Sequence, residues 1–275
     1  MTMIKIVTID LDGTLFDNVK NISKENIEAI KKCHELGVKI VIATGRPIEG
    51  VRPVLNRLGL TTDKDYAIIY NGSKVLNVKT NELIFSSTIN GKTVKELYSE
   101  ANRLGLNFHA FRKNEELITP KHNEYTDVEA TINQIEDKLC DINSLDDNEE
   151  FLKAMIVDSK TNLDMAEKCV NQKYKDELSM VRSANIFLEF LNKTSDKGKA
   201  LYQLAKYLNV DMKDTMAIGD AGNDIAMIKM AGIGVAMKNA FPEVLEIADF
   251  VTLSNEESGV AYALNKFIIS KESEN

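Results

Sequence analysis

Four aspartates stand where apolar runs of the chain give way to glycine. The run IVTIDLDGTLFD, residues 6–17, ends in Asp10 and Asp12 with Gly13 and Thr14 behind them, and a later run ends in Gly219-Asp220, followed by Asn223-Asp224. Side chains at i and i+2 of a strand point the same way, so Asp10 and Asp12 are expected to emerge side by side with Leu11 turned inward. Two carboxylates held together repel unless a cation or a shared proton compensates. All-oxygen donors suit a hard cation that keeps some of its water, Mg2+ being the usual case. With Lys197 added, a divalent cation and one ammonium offset three ionised aspartates and leave the fourth to carry a proton. A site so balanced can receive a phosphate.

These residues need elements that bring them to one place. IKIVTID, VKIVIAT and YAIIYNG are short apolar runs without polar alternation, the pattern of strands buried on both faces of a parallel sheet. Between them lie helical patterns: SKENIEAIKKCHEL, opened by Ser23 as N-cap, and PIEGVRPVLNRLGL. A β-α-β-α-β order predicts a doubly wound, Rossmann-like α/β sheet, and in such sheets ligands bind beyond the carboxyl ends of the strands. The second strand ends in Thr44-Gly45-Arg46. If the sheet is parallel, its ends gather all four aspartates at one edge.

The rhythm changes after residue 83. KVLNVKTNELIFSS reads as a hairpin turning near Thr80-Asn81, and the segment to residue 192 mixes two helices, near 92–104 and 161–174, with strands LNFHAFR, KAMIVD, LSMVRS and IFLEFL. DKLCDINSLDDNEE is acidic and turn-rich and is expected to be a surface loop. From residue 193 the first rhythm returns. The expected layout is a core of residues 1–83 and 193–275 with an inserted α/β cap over 84–192.

Composition narrows the class. The 275 residues are 44% hydrophobic and 28% charged, ordinary for a globular protein, with a formal net charge of −8. An acidic chain is a poor general binder of nucleic acid or anionic membrane. Cys33, Cys140 and Cys169 are scattered, which predicts free thiols and no zinc site. Lys5, Asp10 and Asp12 interrupt the stretch that a signal peptide would keep apolar, so a cytoplasmic protein is expected.

The motifs taken in order resemble the haloacid dehalogenase superfamily, and within it the Cof-type subclass IIB sugar phosphatases. They are DLDGT at 10–14, ATGR at 43–46, NG at 71–72, LEF before DKG at 196–198, GDAGND at 219–224 and GVAMKNA at 234–240, so the resemblance runs the length of the chain. It implies a Mg2+-dependent phosphatase of small phosphorylated metabolites. Asp10 would be the nucleophile, forming an aspartyl-phosphate, and Asp12 the general acid and then base. The metal would be held by Asp10, the Asp12 main-chain carbonyl and Asp220, with support from Asp224. Thr44 would bond phosphoryl oxygens and Lys197 would neutralise charge between Asp10 and phosphate, both counting as catalytic. Gly45, Arg46, Asn71, Gly72 and Asn223 complete the implied substrate-binding set.

Each of these residues has a plainer role open to it. Thr44 alone would bond its own turn, Lys197 would be a solvated helix cation, and Asp224 an acid at a helix start. Their order in one chain favours the site, less decisively for Arg46, Asn71 and Asn239, which could equally fasten loops. The resemblance is imperfect at Asp196, often serine, which could pair with Lys197 and weaken its charge, and at Lys238, often glycine.

Substrate choice is expected to lie in the cap. Along His109, Phe111, Arg112 and Lys113, alternation would put His109 with Phe111 or Lys113 on one face. Two other activities stay open: a phosphotransferase or mutase passing the phosphoryl group to a sugar hydroxyl, and a binding protein without catalysis. Mutases usually carry a cap between the first two motifs, and the interval between Asp12 and Thr44 holds one helix only.

Overall fold

The computed structural model describes residues 3–270. In chain order the elements are β1 (Ile6–Ile9), α1 (Lys24–Glu35), β2 (Lys39–Ala43), α2 (Ile48–Leu58), β3 (Tyr66–Ile69), β4 (Lys74–Asn77) and β5 (Leu83–Ser86). Then follow β6 (Ile89–Asn90), α3 (Gly91–Leu104), β7 (Asn107–Arg112), β8 (Leu117–Thr119), α4 (Glu124–Asn133), β9 (Asp137–Leu139), β10 (Glu150–Val157), α5 (Lys160–Cys169), α6 (Gln172–Glu177), β11 (Leu178–Ala184) and β12 (Phe187–Asn192). The chain continues with α7 (Lys197–Tyr207), β13 (Thr215–Gly219), α8 (Ile225–Met230), β14 (Ile233–Ala236), α9 (Pro242–Leu245), β15 (Phe250–Val251) and α10 (Gly259–Leu264). It divides into two compact units, one of residues 1–45, 52–85 and 196–275, the other of 46–51 and 86–195.

The first unit is a mixed α/β layer structure on an eight-stranded sheet ordered β15-β14-β13-β1-β2-β3-β4-β5. From β15 to β3 neighbouring strands are parallel, and β4 turns back antiparallel to β3. The unalternating apolar runs have the cause expected. Ile6, Val41, Ile68 and Ala217 pack with Leu201 and Leu204 of α7 and Ile228 of α8, while Val7 and Ile9, which alternation turns to the opposite face, are equally inaccessible. Ser23 caps α1 by accepting from the Asn26 N–H at 3.2 Å, and α1 packs on α10.

The second unit has a sheet ordered β11-β12-β10-β7-β8-β9, with β6 pairing β10. It is antiparallel except for β8 and β9, which run parallel. On one face Phe108, Ala110, Phe151, Ala154, Ile156 and Phe190 pack against α3 and α5. The segment expected to be a surface loop is mostly exposed, but it opens with β9 and carries a short 3-10 turn at Ile142–Ser144, with Ile142 and Leu145 buried. Helix α4 was not foreseen, because its inward residues include Thr126, Glu129 and Asn133 while Val128 and Ile132 face outward. Among the described residues no helix is long and apolar enough to cross a membrane.

Candidate active site

Parallel register does the first positioning. Ile9 is abreast of Ile218 on one side and Ile42 on the other, so the residues that follow these strands, Asp10, Thr44 and Asp220, leave the sheet at the same edge. The Asp10 N–H donates to the Ile218 carbonyl at 3.1 Å, continuing the ladder for one step. Thr44 is buried, its N–H donating to the Ile68 carbonyl at 2.9 Å.

Carboxylate oxygens of Asp10, Asp220 and Asp224 lie within 4.8 Å of one another, and all three residues are buried. Lys197, the first residue of α7 and wholly inaccessible, donates to Asp10 Oδ1 at 2.5 Å and to Asp224 Oδ1 at 2.6 Å. The other oxygen of Asp224 accepts the N–H groups of Asp220 and Ala221, each at 3.0 Å. Thr14 donates its hydroxyl to Asp220 Oδ1 at 2.7 Å.

The electrostatics follow from this crowding. Burial raises the Asp10 pKa well above the usual carboxylate range, and Asp224 and Asp220 add to the rise while Lys197 opposes it. Burial, with Asp224 beside it, pushes Asp220 up to about 6. Burial works against the Lys197 ammonium, but Asp10 and Asp224 outweigh it and hold its pKa above the ordinary lysine value. Three carboxylates against one ammonium leave an excess of two negative charges, which a divalent cation on oxygen donors would balance. The donor set therefore fits Mg2+.

Asp12 stands three residues beyond β1, with Leu11 buried between it and Asp10 in sequence; its carboxylate is 42% exposed and bonded to Lys20, and its charge acts on Asp220. Its carboxylate lies outside the close carboxylate group. Lys20 carries no motif and was not foreseen; a left-handed backbone (φ 65°) in a turn built on Asp17 presents it. Gly13 makes this loop possible. Its φ is 89°, and a Cβ there would come within 2.4 Å of Asp220 Oδ2.

The remaining residues divide. Asn223 donates to Asn71 Oδ1 at 3.0 Å, and Gly72 is buried against Asp196, so both belong to this cluster of loops. Arg46 belongs to the second unit, where its charge acts on Glu129. Asn239 fastens a loop, donating to the Gly13 carbonyl at 2.8 Å and accepting from the Asn255 N–H at 2.9 Å. Asp196 does not pair with Lys197. It caps α7, accepting from the Lys199 N–H at 2.7 Å, while Lys238 pairs with Glu257 at 3.3 Å.

In the second unit, His109 and Phe111 do share a face, their rings meeting edge-on at 6.0 Å, whereas Lys113 turns to Glu150 at 2.6 Å. His109 is fully buried, with Nδ1 3.0 Å from the Thr126 hydroxyl, and burial followed by the charge of Lys153 lowers its pKa to about 3. Lys153 was overlooked within an apolar strand. It is buried between Glu189 at 3.1 Å and Glu129 at 3.5 Å.

Comparison with known proteins agrees with this geometry. Residues 7–264 match the model of the haloacid dehalogenase-like hydrolases. YxeH of Bacillus subtilis, which carries a phosphatase name, is 38% identical over 98% of this chain and 100% of its own. A haloacid dehalogenase-like hydrolase from Bacteroides thetaiotaomicron superposes with a TM-score of 0.84 at 30% identity, over 96% of this chain and 100% of the other. The subclass IIB sugar phosphatase BT4131 does so at 0.78 and 25% identity, over 96% and 98%. A buried aspartate trio served by one lysine, on a parallel sheet edge and in a chain with these likenesses, belongs to a phosphoric monoester hydrolase: the protein is a member of the haloacid dehalogenase-like hydrolases, of the Cof type.

Proposed function

We propose that the protein is a Mg2+-dependent phosphatase that hydrolyses small phosphate monoesters, sugar phosphates or phosphorylated cofactors, through an aspartyl-phosphate on Asp10. The observation that carries this reading is the Lys197 ammonium 2.5 Å from Asp10 inside a trio of buried carboxylates. The likeness to BT4131, a sugar phosphatase, supports the substrate class.

Asp10, Asp220 and Asp224 would hold the cation, with the Asp12 carbonyl beside them. When bound, Mg2+ supplies Lewis-acid neutralisation of the phosphoryl oxygens. Asp10 attacks phosphorus with a carboxylate oxygen as the bond to the leaving oxygen breaks, and Asp12 gives its proton to that oxygen. Asp12 then takes a proton from the water that attacks the aspartyl-phosphate, which releases inorganic phosphate and restores Asp10. Lys197 favours the anionic form of Asp10 against the burial that opposes it and offsets charge on the phosphoryl group, and Thr44 with the Gly45 backbone faces its oxygens. The first unit is in this reading the catalytic core, and the second, with Arg46, is the cap.

The test is phosphate release from p-nitrophenyl phosphate by purified protein with Mg2+, with EDTA, and by Asp10→Asn. Activity is expected only with Mg2+ and an intact Asp10. Activity in fully chelated protein, or above about a hundredth of wild type in the variant, would overturn the reading.

A further inference from the structure

Three consecutive residues turn left-handed: Tyr70 (φ 51°), Asn71 (φ 53°) and Gly72 (φ 92°). Glycine enters this region freely and asparagine tolerates it, but a tyrosine stays there only where its surroundings over-determine it. Tyr70 is wholly buried, and the surroundings of this arch are segments of the candidate active site.

The Asn71 N–H donates to the Thr44 carbonyl at 2.9 Å. The Asn71 side chain lies across Gly45, where a Cβ would stand 3.0 Å from its Nδ2. Gly72 meets the Asp196 carbonyl so closely that a Cβ would come within 2.3 Å of the oxygen, and the next residue is Lys197. Finally, Asn71 Oδ1 accepts from Asn223 Nδ2 at 3.0 Å. Asn223 sits in the short turn Gly222–Asp224, whose last residue receives Lys197 and the backbone of Asp220 and Ala221. One strained turn thus touches the loop after β2, the start of α7 and the loop after β13.

We propose that Asn71 is a positioning residue for phosphoryl transfer, acting through Asn223 on the turn that carries Asp224, with the left-handed arch holding its amide in place. The inference rests on the phosphatase reading and assigns Asn71 an indirect role, where the family resemblance implied contact with substrate.

The test compares wild type, Asn71→Gly, Asn71→Ala, Asn223→Ala and the Asn71→Gly/Asn223→Ala double variant on p-nitrophenyl phosphate with Mg2+, together with thermal unfolding. Glycine keeps the left-handed backbone and removes the amide, whereas alanine removes the amide and adds strain. Asn71→Gly is expected to lower kcat about tenfold with KM within about threefold of wild type, and to cost less than about twofold more when Asn223 is already alanine. Asn71→Ala is expected to match its kcat but unfold at a lower temperature. An unchanged kcat in Asn71→Gly, a rise in KM at constant kcat, or losses that multiply in the double variant would each overturn the inference. A wild type that releases no phosphate overturns the phosphatase reading and this inference with it; an active wild type with multiplying losses overturns the inference alone.

Discussion

Lys197 Nζ lies 2.5 Å from Asp10 Oδ1, although 187 positions of sequence separate the two residues. The same ammonium holds Asp224 at 2.6 Å, so one buried cation serves two carboxylates that come from different strand ends. Taking either partner away leaves charge in a place that water does not reach.

Lys197→Met is therefore expected to lose both stability and activity. Breaking a buried ion pair from one side costs about 3–5 kcal/mol, here partly relieved because Asp10 can take up a proton. In a chain of this size about 3 kcal/mol lowers the unfolding midpoint by several degrees. The kcat on p-nitrophenyl phosphate should fall by about a hundredfold or more. Differential scanning fluorimetry and steady-state kinetics check the two effects separately, and a folded variant with wild-type kcat would remove Lys197 from the mechanism.

The raised pKa values predict how metal and pH interact. A carboxylate near 3.8 when unfolded and near 6 when folded, as Asp220 is, makes ionisation in the folded state costly, and the cost grows as pH rises between those values. Asp10, raised in the same direction, adds to it. A divalent cation removes this cost by replacing the protons. The gain in unfolding temperature between EDTA and Mg2+ should consequently be larger at pH 7.5 than at pH 5, by an amount corresponding to roughly 2 kcal/mol. Equal gains at both values would show that these carboxylates do not hold the ion.

Gly13 and Gly37 make a matched pair of backbone tests. Both have left-handed φ, 89° and 84°, but a Cβ on Gly13 would run into Asp220 whereas one on Gly37 would meet nothing within 4 Å. Alanine at Gly37 should cost only the strain of its conformation, about 1 kcal/mol, and leave kcat at the wild-type value. Alanine at Gly13 must also displace Asp220 and should lower kcat by about a hundredfold. Comparable kcat in the two folded variants would contradict the close approach.

What the sequence made legible was local. The buried strands declare themselves because no polar residue alternates in them, and the motif residues sit at their ends, so Asp10, Thr44, Asp220 and Asp224 follow from pattern plus parallel register. Helix α4 was hidden because Glu129 and Thr126 point inward, toward Lys153 and His109, while Val128 and Ile132 point out, an inverse of the pattern that marks a surface helix. Lys153 was legible in principle as the lysine that opens KAMIVD, but its two glutamate partners lie 24 and 36 residues away and no periodicity links them. Asp12 was only partly legible, because it lies three residues beyond the end of β1 and its carboxylate also meets Lys20. Lys20 could not be foreseen, since its direction depends on a left-handed turn at a residue that rarely takes one.

On the proposed reading Asp12 is where hydrolysis parts from mere phosphorylation, and its carboxylate is exposed beside Lys20. If Asp12 protonates the leaving group and later activates water, Asp12→Ala should slow both half-reactions, unequally according to the leaving group. An alkyl phosphate expels a poor alkoxide that needs the proton, whereas an acyl phosphate departs without one. Given acetyl phosphate, the variant should still transfer phosphate to Asp10, which keeps its place against Lys197. Cleavage of that aspartyl-phosphate, which needs the base, should then limit turnover, and the phosphorylated form should accumulate. Rapid acid quenching and mass spectrometry of the peptide containing Asp10 measure it directly. Fast turnover with no trapped phosphoenzyme would mean that another group activates the water, and Asp12 would be left with its backbone carbonyl as its only part in the site.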